Sequence, residues 1–462
     1  MNKFAVYIFH IYRQKKVGVG ATQKISVNNL TVKVNNKLPP LSWICILKES
    51  EYKFFVGNKV EFTNDCLIEG AWDGEFKSYN FSTSEFVFGS GAVIIDNEIQ
   101  FVPPRHCAES LYVIRRKEDN EFFVSNSINF VLEESKIDIE SKLFESLTNA
   151  IEDTIELATL NGIDQANPII FENDEIIFYR IMFYNFSIRR NESIKFHRLS
   201  PKRYFRNFKQ YREFVKKKTY QVCSNAMSND RKFVFEPLTS ISKGYDSSTT
   251  AVIANELGYK KAITLDVEVW NMDDCGAVIG EKLGMDVERI KHIMSDQIEN
   301  LNIEVSDDLA ENSYEFIATV GSGDDITFLV FEPYIKDKIF ISGVYGDIVW
   351  EKQSKLTSGL PKNGIVGKST TEFRLRVGYF HLPLPSIGAR FSAPIVKLSN
   401  SKETEGYSVG GSYDRPIPRK IIEDAGIPRS EFGTNKCATS PNILNRKEIF
   451  KTAVNVIRQR YN

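Results

Sequence analysis

Apolar and polar residues alternate with a period near two along much of the first third of the chain. Residues 4–11, 43–47, 53–60, 92–101 and 111–114 are short runs rich in β-branched and aromatic side chains, some separated by Asn and Gly, and they predict strands. An amphipathic stretch follows at 137–160. An aromatic-rich region spans 169–208, with its rings expected in a core, and residues 211–227 have helical spacing. Beyond 229 the pattern changes: the apolar runs 233–241, 261–267 and 338–341 predict strands, and 249–258 predicts a helix stopped at Gly258. These shifts divide the chain into a β-rich portion, 1–135, a helical and aromatic connector, 136–228, and an α/β portion, 229–462.

The joins between strands and helices carry the candidate chemistry. Ser242-Lys243-Gly244-Tyr245-Asp246-Ser247-Ser248 lies between a strand and a helix. Such a loop leaves backbone N–H groups unpaired at the positive end of the helix dipole, which favours an anion. Gly244 is expected to take a positive φ or allow a close backbone approach, and the serines add hydroxyl donors. Asp246 would repel phosphate unless Mg²⁺ sits between them. Ser342-Gly343-Val344-Tyr345-Gly346-Asp347 also follows an apolar strand. In an open parallel sheet the strand C-termini share one edge, so Asp246 and Asp347 are expected to meet there. Asp273 and Asp274 read as acids opening a helix at 275–283. Gly321-Ser322-Gly323-Asp324-Asp325 has loop composition, and His381 reads as a packed or hydrogen-bonded structural group.

The first loop resembles the S-G-G-x-D-S loop of the ATP pyrophosphatases, or PP-loop enzymes, with Lys243 in place of a glycine. The second resembles the S-G-x-G-x-D-E loop of the asparagine synthetase group, with Ile348 in place of the last acid. Together with E-F-R-L-R-V-G at 372–378 and Y-D-R-P-I-P-R at 413–419, these loops make residues 120–445 similar to an asparagine-synthase-like group of bacterial surface-glycan and natural-product loci. The resemblance implies an α/β, Rossmann-like adenine nucleotide α-hydrolase domain preceded by an α+β, Ntn-hydrolase-like sandwich domain. It implies an AMP-forming, ATP-dependent carbon–nitrogen ligase using ATP and Mg²⁺. A small-molecule, sugar or peptide carboxylate would be adenylated and passed to an amine or ammonia. By the same resemblance Ser242, Lys243, Gly244, Ser247, Ser248, Gly343 and Tyr345 hold the nucleotide, and Leu265 lines the adenine pocket. Asp246 and Asp347 hold the metal and take part in catalysis. Lys436 stabilises the departing pyrophosphate, with Arg415 and Arg419 as further candidates.

Residues 110–113 and 122–127 resemble the late part of a glutaminase domain, whose nucleophile is an N-terminal cysteine. Here Met1-Asn2 opens the sequence and the first cysteine is Cys45, so a retained scaffold is expected. The competing readings are other adenylating chemistry on a carbonyl or amide (amidine formation), a nucleotide-binding pseudoenzyme, and an enzyme fed by a separate ammonia-producing subunit.

Composition adds bounds. The 462 residues suffice for two or three cores, and a net charge of −1 gives no argument for a nucleic acid or membrane partner. Six cysteines without a C-x-x-C pair argue against structural zinc and a disulfide framework. No apolar run has transmembrane length, and residues 4–12 read as a strand rather than a signal peptide, so a cytoplasmic protein is expected. A homodimer is compatible with the sequence.

Overall fold

A computed structural model of the chain describes residues 30–49, 51–106, 108–137, 168–189, 193–197, 204–266, 268–269, 272–290, 314–319, 325–352, 370–411, 413–433 and 446–461. The period-two segments build two sheets. Their strands are β1 (Thr31–Val34), β2 (Trp43–Lys48), β3 (Glu51–Val56), β4 (Glu61–Phe62), β5 (Cys66–Trp72), β6 (Val87–Ile95), β7 (Glu98–Val102), β8 (Leu111–Arg116) and β9 (Phe122–Ser125). After the helix α1 (Ile128–Glu134) come β10 (Ile169–Glu172), β11 (Ile176–Ile181), β12 (Asn185–Ile188) and β13 (Ile194–His197). One sheet runs β1-β3-β2-β9-β8-β11-β10 and the other β13-β12-β7-β6-β5-β4. Their facing sides share a core containing Trp43, Phe54, Leu67, Phe101, Val113, Val124 and Phe186, with Trp43 stacked on Phe101 at 6.3 Å. The other face of the first sheet, at Tyr112, Ile114 and Phe123, is covered by Val131 and Leu132 of α1 and by Phe450, Val454 and Ile457 of the last helix, Arg446–Tyr461.

Two expectations change here. The run at 92–101 is not one strand but the hairpin β6–β7, turned at Asp96 and Asn97 with φ of 51° and 58°. Both residue types tolerate the left-handed region that a two-residue hairpin turn requires, and the apolar runs on either side hide the turn. The β-rich part also continues past residue 135. The strands at 169–197, read as connector, complete both sheets, and their aromatic residues Phe178 and Phe186 are core positions. The strand expected at 4–11 and residues 138–160 of the amphipathic stretch lie outside the described residues.

The second half starts with α2 (Phe208–Ala226), whose cap Asn207 accepts a bond from the amide of Gln210. There follow β14 (Glu236–Ser240), α3 (Tyr245–Glu256), β15 (Lys261–Leu265), a short hairpin of β16 (Glu268–Val269) and β17 (Met272–Asp273), α4 (Ala277–Lys282) and β18 (Asp286–Ile290). Then come β19 (Lys338–Ser342), α5 (Gly346–Val349), α6 (Thr371–Val377), β20 (Phe380–Pro383) and α7 (Pro416–Asp424). Five of the strands form a sheet in the order β18-β15-β14-β19-β20, parallel at every pairing. The chain steps outward from β14 to β15 and β18, then returns to the other side of β14 for β19 and β20. The direction of winding therefore reverses between β14 and β19, and the loops leaving those strands lie side by side. Apolar residues cover both faces, Ile339 and Ile341 on one and Leu238, Ile263 and Phe340 on the other. That is why Ile339-Phe340-Ile341 reads as an unbroken apolar run. No described helix is long and apolar enough to cross a membrane.

A charged seam joins the sandwich to the parallel sheet. Arg374 of α6 is buried against both carboxylate oxygens of Glu69, at 2.8 and 3.3 Å, and against Glu109 at 2.5 Å. Glu372 accepts bonds from the Ser127 hydroxyl (2.9 and 2.8 Å) and the amide of Ile128 (3.2 Å). Burial pushes its carboxyl up to about 7. Arg231 donates to Glu61, the Gly70 carbonyl, and both the carbonyl and side chain of Asn225.

Candidate functional site

Four segments meet where β14 and β19 end. The first is the turn into α3. Ser242 amide donates to the Ser247 hydroxyl (3.1 Å), the two hydroxyls share a bond of 2.8 Å, and the Gly244 amide donates to Ser242 Oγ (3.1 Å). Ser248 Oγ donates to the Ser242 carbonyl at 2.7 Å. The serines thus brace the loop, and an anion would compete for the hydroxyls of Ser242 and Ser247. Gly244 is the N-cap residue and offers no side-chain cap to this twelve-residue helix; instead the Tyr245 amide donates to the Tyr413 hydroxyl, and the Ser247 amide lies against Gly343. Its expected positive φ is not found. The φ is −69°, and an added Cβ would meet its nearest neighbour, Ser242 Oγ, at an ordinary 3.4 Å. A first side-chain carbon would fit there in ordinary contact with Ser242, Ser247 and Tyr413, so the turn itself does not demand a glycine.

The second segment is the turn after β19. A Cβ on Gly343 would lie 2.5 Å from the Asp246 carbonyl carbon, and one on Gly346 would run into the Asp246 carboxyl group. The two loops therefore pack backbone against backbone, and Asp347, next after Gly346, opens α5. Asp246 and Asp347 are both half-buried. Tyr345 sits between the glycines at φ 76°, a left-handed conformation costing roughly 1–2 kcal/mol for an L-residue. Its side chain is buried in the core, and Ile348 packs against the same core. Behind this turn, Ser342 shares a 2.8 Å hydrogen bond with Nε2 of His381. Burial lowers the His381 imidazole to about 3, so it is neutral, as suits a structural group.

The third segment corrects an expectation. Helix α4 begins at Ala277 with Gly276 as its cap, so Asp273 and Asp274 do not open it. They hold the first loop instead. Lys243 amide donates to the carbonyl and carboxylate of Asp274, at 3.1 and 3.2 Å, and the Lys243 ammonium pairs with Asp273. Burial pushes the Asp274 carboxyl up to about 6, and the Lys243 ammonium holds Asp273 low. Sequence spacing placed these acids correctly after a strand but could not show that the chain folds back on residue 243.

The fourth segment comes from the C-terminal third. The amide of Gly433 donates to the Lys243 carbonyl at 2.8 Å. Arg419 bonds the Tyr245 hydroxyl and lies over the rings of Tyr245 and Phe432, at 5.2 and 5.4 Å. Tyr413 packs on Tyr245 with ring centroids 4.8 Å apart, and its hydroxyl would lie 4.0 Å from a Cβ on Gly244. Burial raises the Tyr413 phenol, helped by the charge of Asp246. The sequence offered one signal for Tyr413, its place in Y-D-R just ahead of the prolines that open α7.

Of the residues expected at the site, Ser242, Lys243, Gly244, Asp246, Ser247, Ser248, Gly343, Tyr345 and Asp347 lie in the two abutting loops. Leu265 ends the neighbouring strand β15, half-buried against a cluster with Ile263 and Ile290. Lys436 and residues 321–324 are outside the described residues. A surface groove of about 350 Å³ lined by Phe76, Lys77, Tyr220 and Asp230 includes none of these residues, and its Lys77 and Asp230 pair with each other. No family model matches the chain, and no curated protein matches it.

Proposed function

We propose that the protein is an ATP-dependent, AMP-forming ligase whose parallel sheet is a Rossmann-like nucleotide domain. One observation carries this reading. Two turns about a hundred residues apart, each ending in an aspartate, abut where the winding of a parallel sheet reverses, which is where such sheets bind ligands. The hydroxyls of Ser242 and Ser247 and the positive end of α3 are the proposed phosphate seat, and Asp246 and Asp347 belong to the two turns that abut there. Among the described residues no group of three or more metal-ligating side chains occurs. Magnesium does not need one, because it is commonly held by one or two carboxylates plus phosphate oxygens. The donor set at 246 and 347 fits that ion.

When bound, Mg²⁺ would offset charge on the phosphates as the bond to pyrophosphate breaks. The chain's own residues would place the phosphates at α3 and keep the two loops in register. A substrate carboxylate attacks the α-phosphorus, pyrophosphate leaves, and an amine or ammonia then displaces AMP from the acyl carbon. Catalysis in this scheme is placement plus charge stabilisation. A second reading, a nucleotide binder without turnover, is favoured by Ile348 in the core and by Lys243 held on Asp273. Incubation of the protein with ATP, Mg²⁺, candidate carboxylates and ammonium decides between them. The ligase releases AMP and pyrophosphate, the binder releases neither, and ADP with phosphate would refute both the scheme and its assignment of the loops.

A further inference from the structure

Tyr413 and Asp414 are neighbours in sequence, and each is tied to a different turn of the site. The Tyr413 hydroxyl accepts the amide of Tyr245, the residue before Asp246, and the two rings pack with centroids 4.8 Å apart. Asp414 is 3 % exposed. Its carboxylate accepts bonds from the Ser408 hydroxyl and from the amides of Val409 (3.1 Å) and Gly410 (3.2 Å), and lies 3.4 Å from the Lys352 ammonium. That ammonium also donates to the Ser408 hydroxyl at 2.6 Å, and the Lys352 carbonyl accepts the Asn400 side-chain amide at 3.0 Å. Lys352 stands three residues beyond α5, the short helix that carries Asp347.

A chain of contacts therefore runs from Tyr245 through Tyr413 and Asp414 to Lys352. Asp246 is one residue from its first link, and Asp347 is in the helix just before its last. A buried carboxylate gripped by several donors, one of them charged, is held firmly, so the backbone leading into Tyr413 is fixed relative to Lys352. Magnesium demands near-ideal geometry from its ligands, which makes the spacing of two carboxylates on different turns a quantity worth fixing. We propose that Tyr413, Asp414 and Lys352 form a clamp that sets the first turn against the second, and that they are positioning residues for Asp246 and Asp347. The clamp acts through the backbones of the two turns and needs no contact with a nucleotide. Its consequence for catalysis rests on the ligase reading; its mechanics do not.

The mechanics are tested by residue-resolved deuterium exchange of the full chain without ligand. The probe is the Tyr245 amide, and the reference is the Leu257 amide at the far end of α3, bonded to the Ile253 and Ala254 carbonyls. Tyr413→Phe removes the acceptor and should speed exchange at Tyr245 about tenfold, the scale of one lost hydrogen bond. Asp414→Asn and Lys352→Met leave Tyr413 in place and should still speed it several-fold, with Leu257 unchanged. An unchanged Tyr245 amide in these two variants, or equal acceleration at Leu257, overturns the clamp and leaves the ligase reading intact. If Asp414→Asn does not fold, Lys352→Met decides alone. The positioning role is read in ATP–pyrophosphate exchange. Tyr413→Phe and Lys352→Met should raise the Mg²⁺ needed for half-maximal rate several-fold, a larger change than in the maximal rate. The double variant should need no more than the worse single one, because the links act in series. Additive losses overturn the positioning role. A wild type without exchange refutes the ligase reading, and the amide result still decides the clamp.

Discussion

The seam between the sandwich and the parallel sheet and the loop edge of that sheet both bury arginines, but they treat them differently. On the seam, Arg231 and Arg374 are 5 % and 1 % exposed and are closed upon carboxylates and carbonyls. At the loop edge, Arg415 is as deeply placed at 4 %, and among the described residues it has no carboxylate partner, its Nη1 donating to the Asp414 carbonyl at 3.4 Å. Carboxylates differ in the same sense. Glu69 and Glu109 are buried against a cation, while Asp246 and Asp347 are half-buried in the two abutting turns. Charges that hold two layers together are satisfied within the chain. Asp246 and Asp347 at the strand ends are less deeply buried than Glu69 and Glu109.

Perturbing each region should separate stability from chemistry. Asp246→Ala and Asp347→Ala are expected to lower ATP–pyrophosphate exchange by about 10³-fold or more, on the order of 4 kcal/mol, with the melting temperature little changed. Full exchange in either variant removes that residue from the site. Arg374→Met should do the reverse and destabilise the fold by roughly 3–5 kcal/mol in urea unfolding, because Glu69 and Glu109 lose their buried cation. A stable variant would mean the seam does not depend on that pair.

Glu372→Gln tests the seam through pH. The buried wild-type carboxyl holds its proton to about 7, above its unfolded range, so its favourable contribution is complete at pH 4 and is lost as pH rises toward 7. The glutamine variant should therefore gain on wild type with rising pH, by up to about 3 kcal/mol near pH 8, and a pH-independent difference would contradict the shift. Lys243→Ala should have the smallest effect on folding, under about 1 kcal/mol, since its pair with Asp273 is largely solvated. Its effect on the KM for ATP shows whether the lysine leaves Asp273 for phosphate; an unchanged KM would assign it to the loop's scaffold.

Much of the loop edge was legible because local signals agree there. The strand–loop–helix units at 236–256 and 338–349 are marked by apolar runs, glycine and hydroxyl residues in close sequence. The order of strands was not, since nothing in 261–290 says that β15 and β18 lie on the side of β14 away from β19. The hairpin at Asp96-Asn97 was hidden by unbroken apolar flanks, and the strands at 169–197 by aromatic residues that suit several structures. The seam was illegible for another reason. Glu372 meets Ser127, and Arg374 meets Glu69, across separations of 245 and 305 residues that no local pattern encodes. The same holds for Arg415 and Arg419, four apart in one motif, which only the fold distinguishes.

The contact of Gly343 and Gly346 with Asp246 has a mechanical corollary. With no side chain to act as a spacer, neither turn can swing outward without releasing the other. Amide hydrogens at Ser248 and at Ile348, bonded to the Gly244 and Tyr345 carbonyls, should then exchange with deuterium through one shared opening event, with matching protection that changes together when either turn is perturbed.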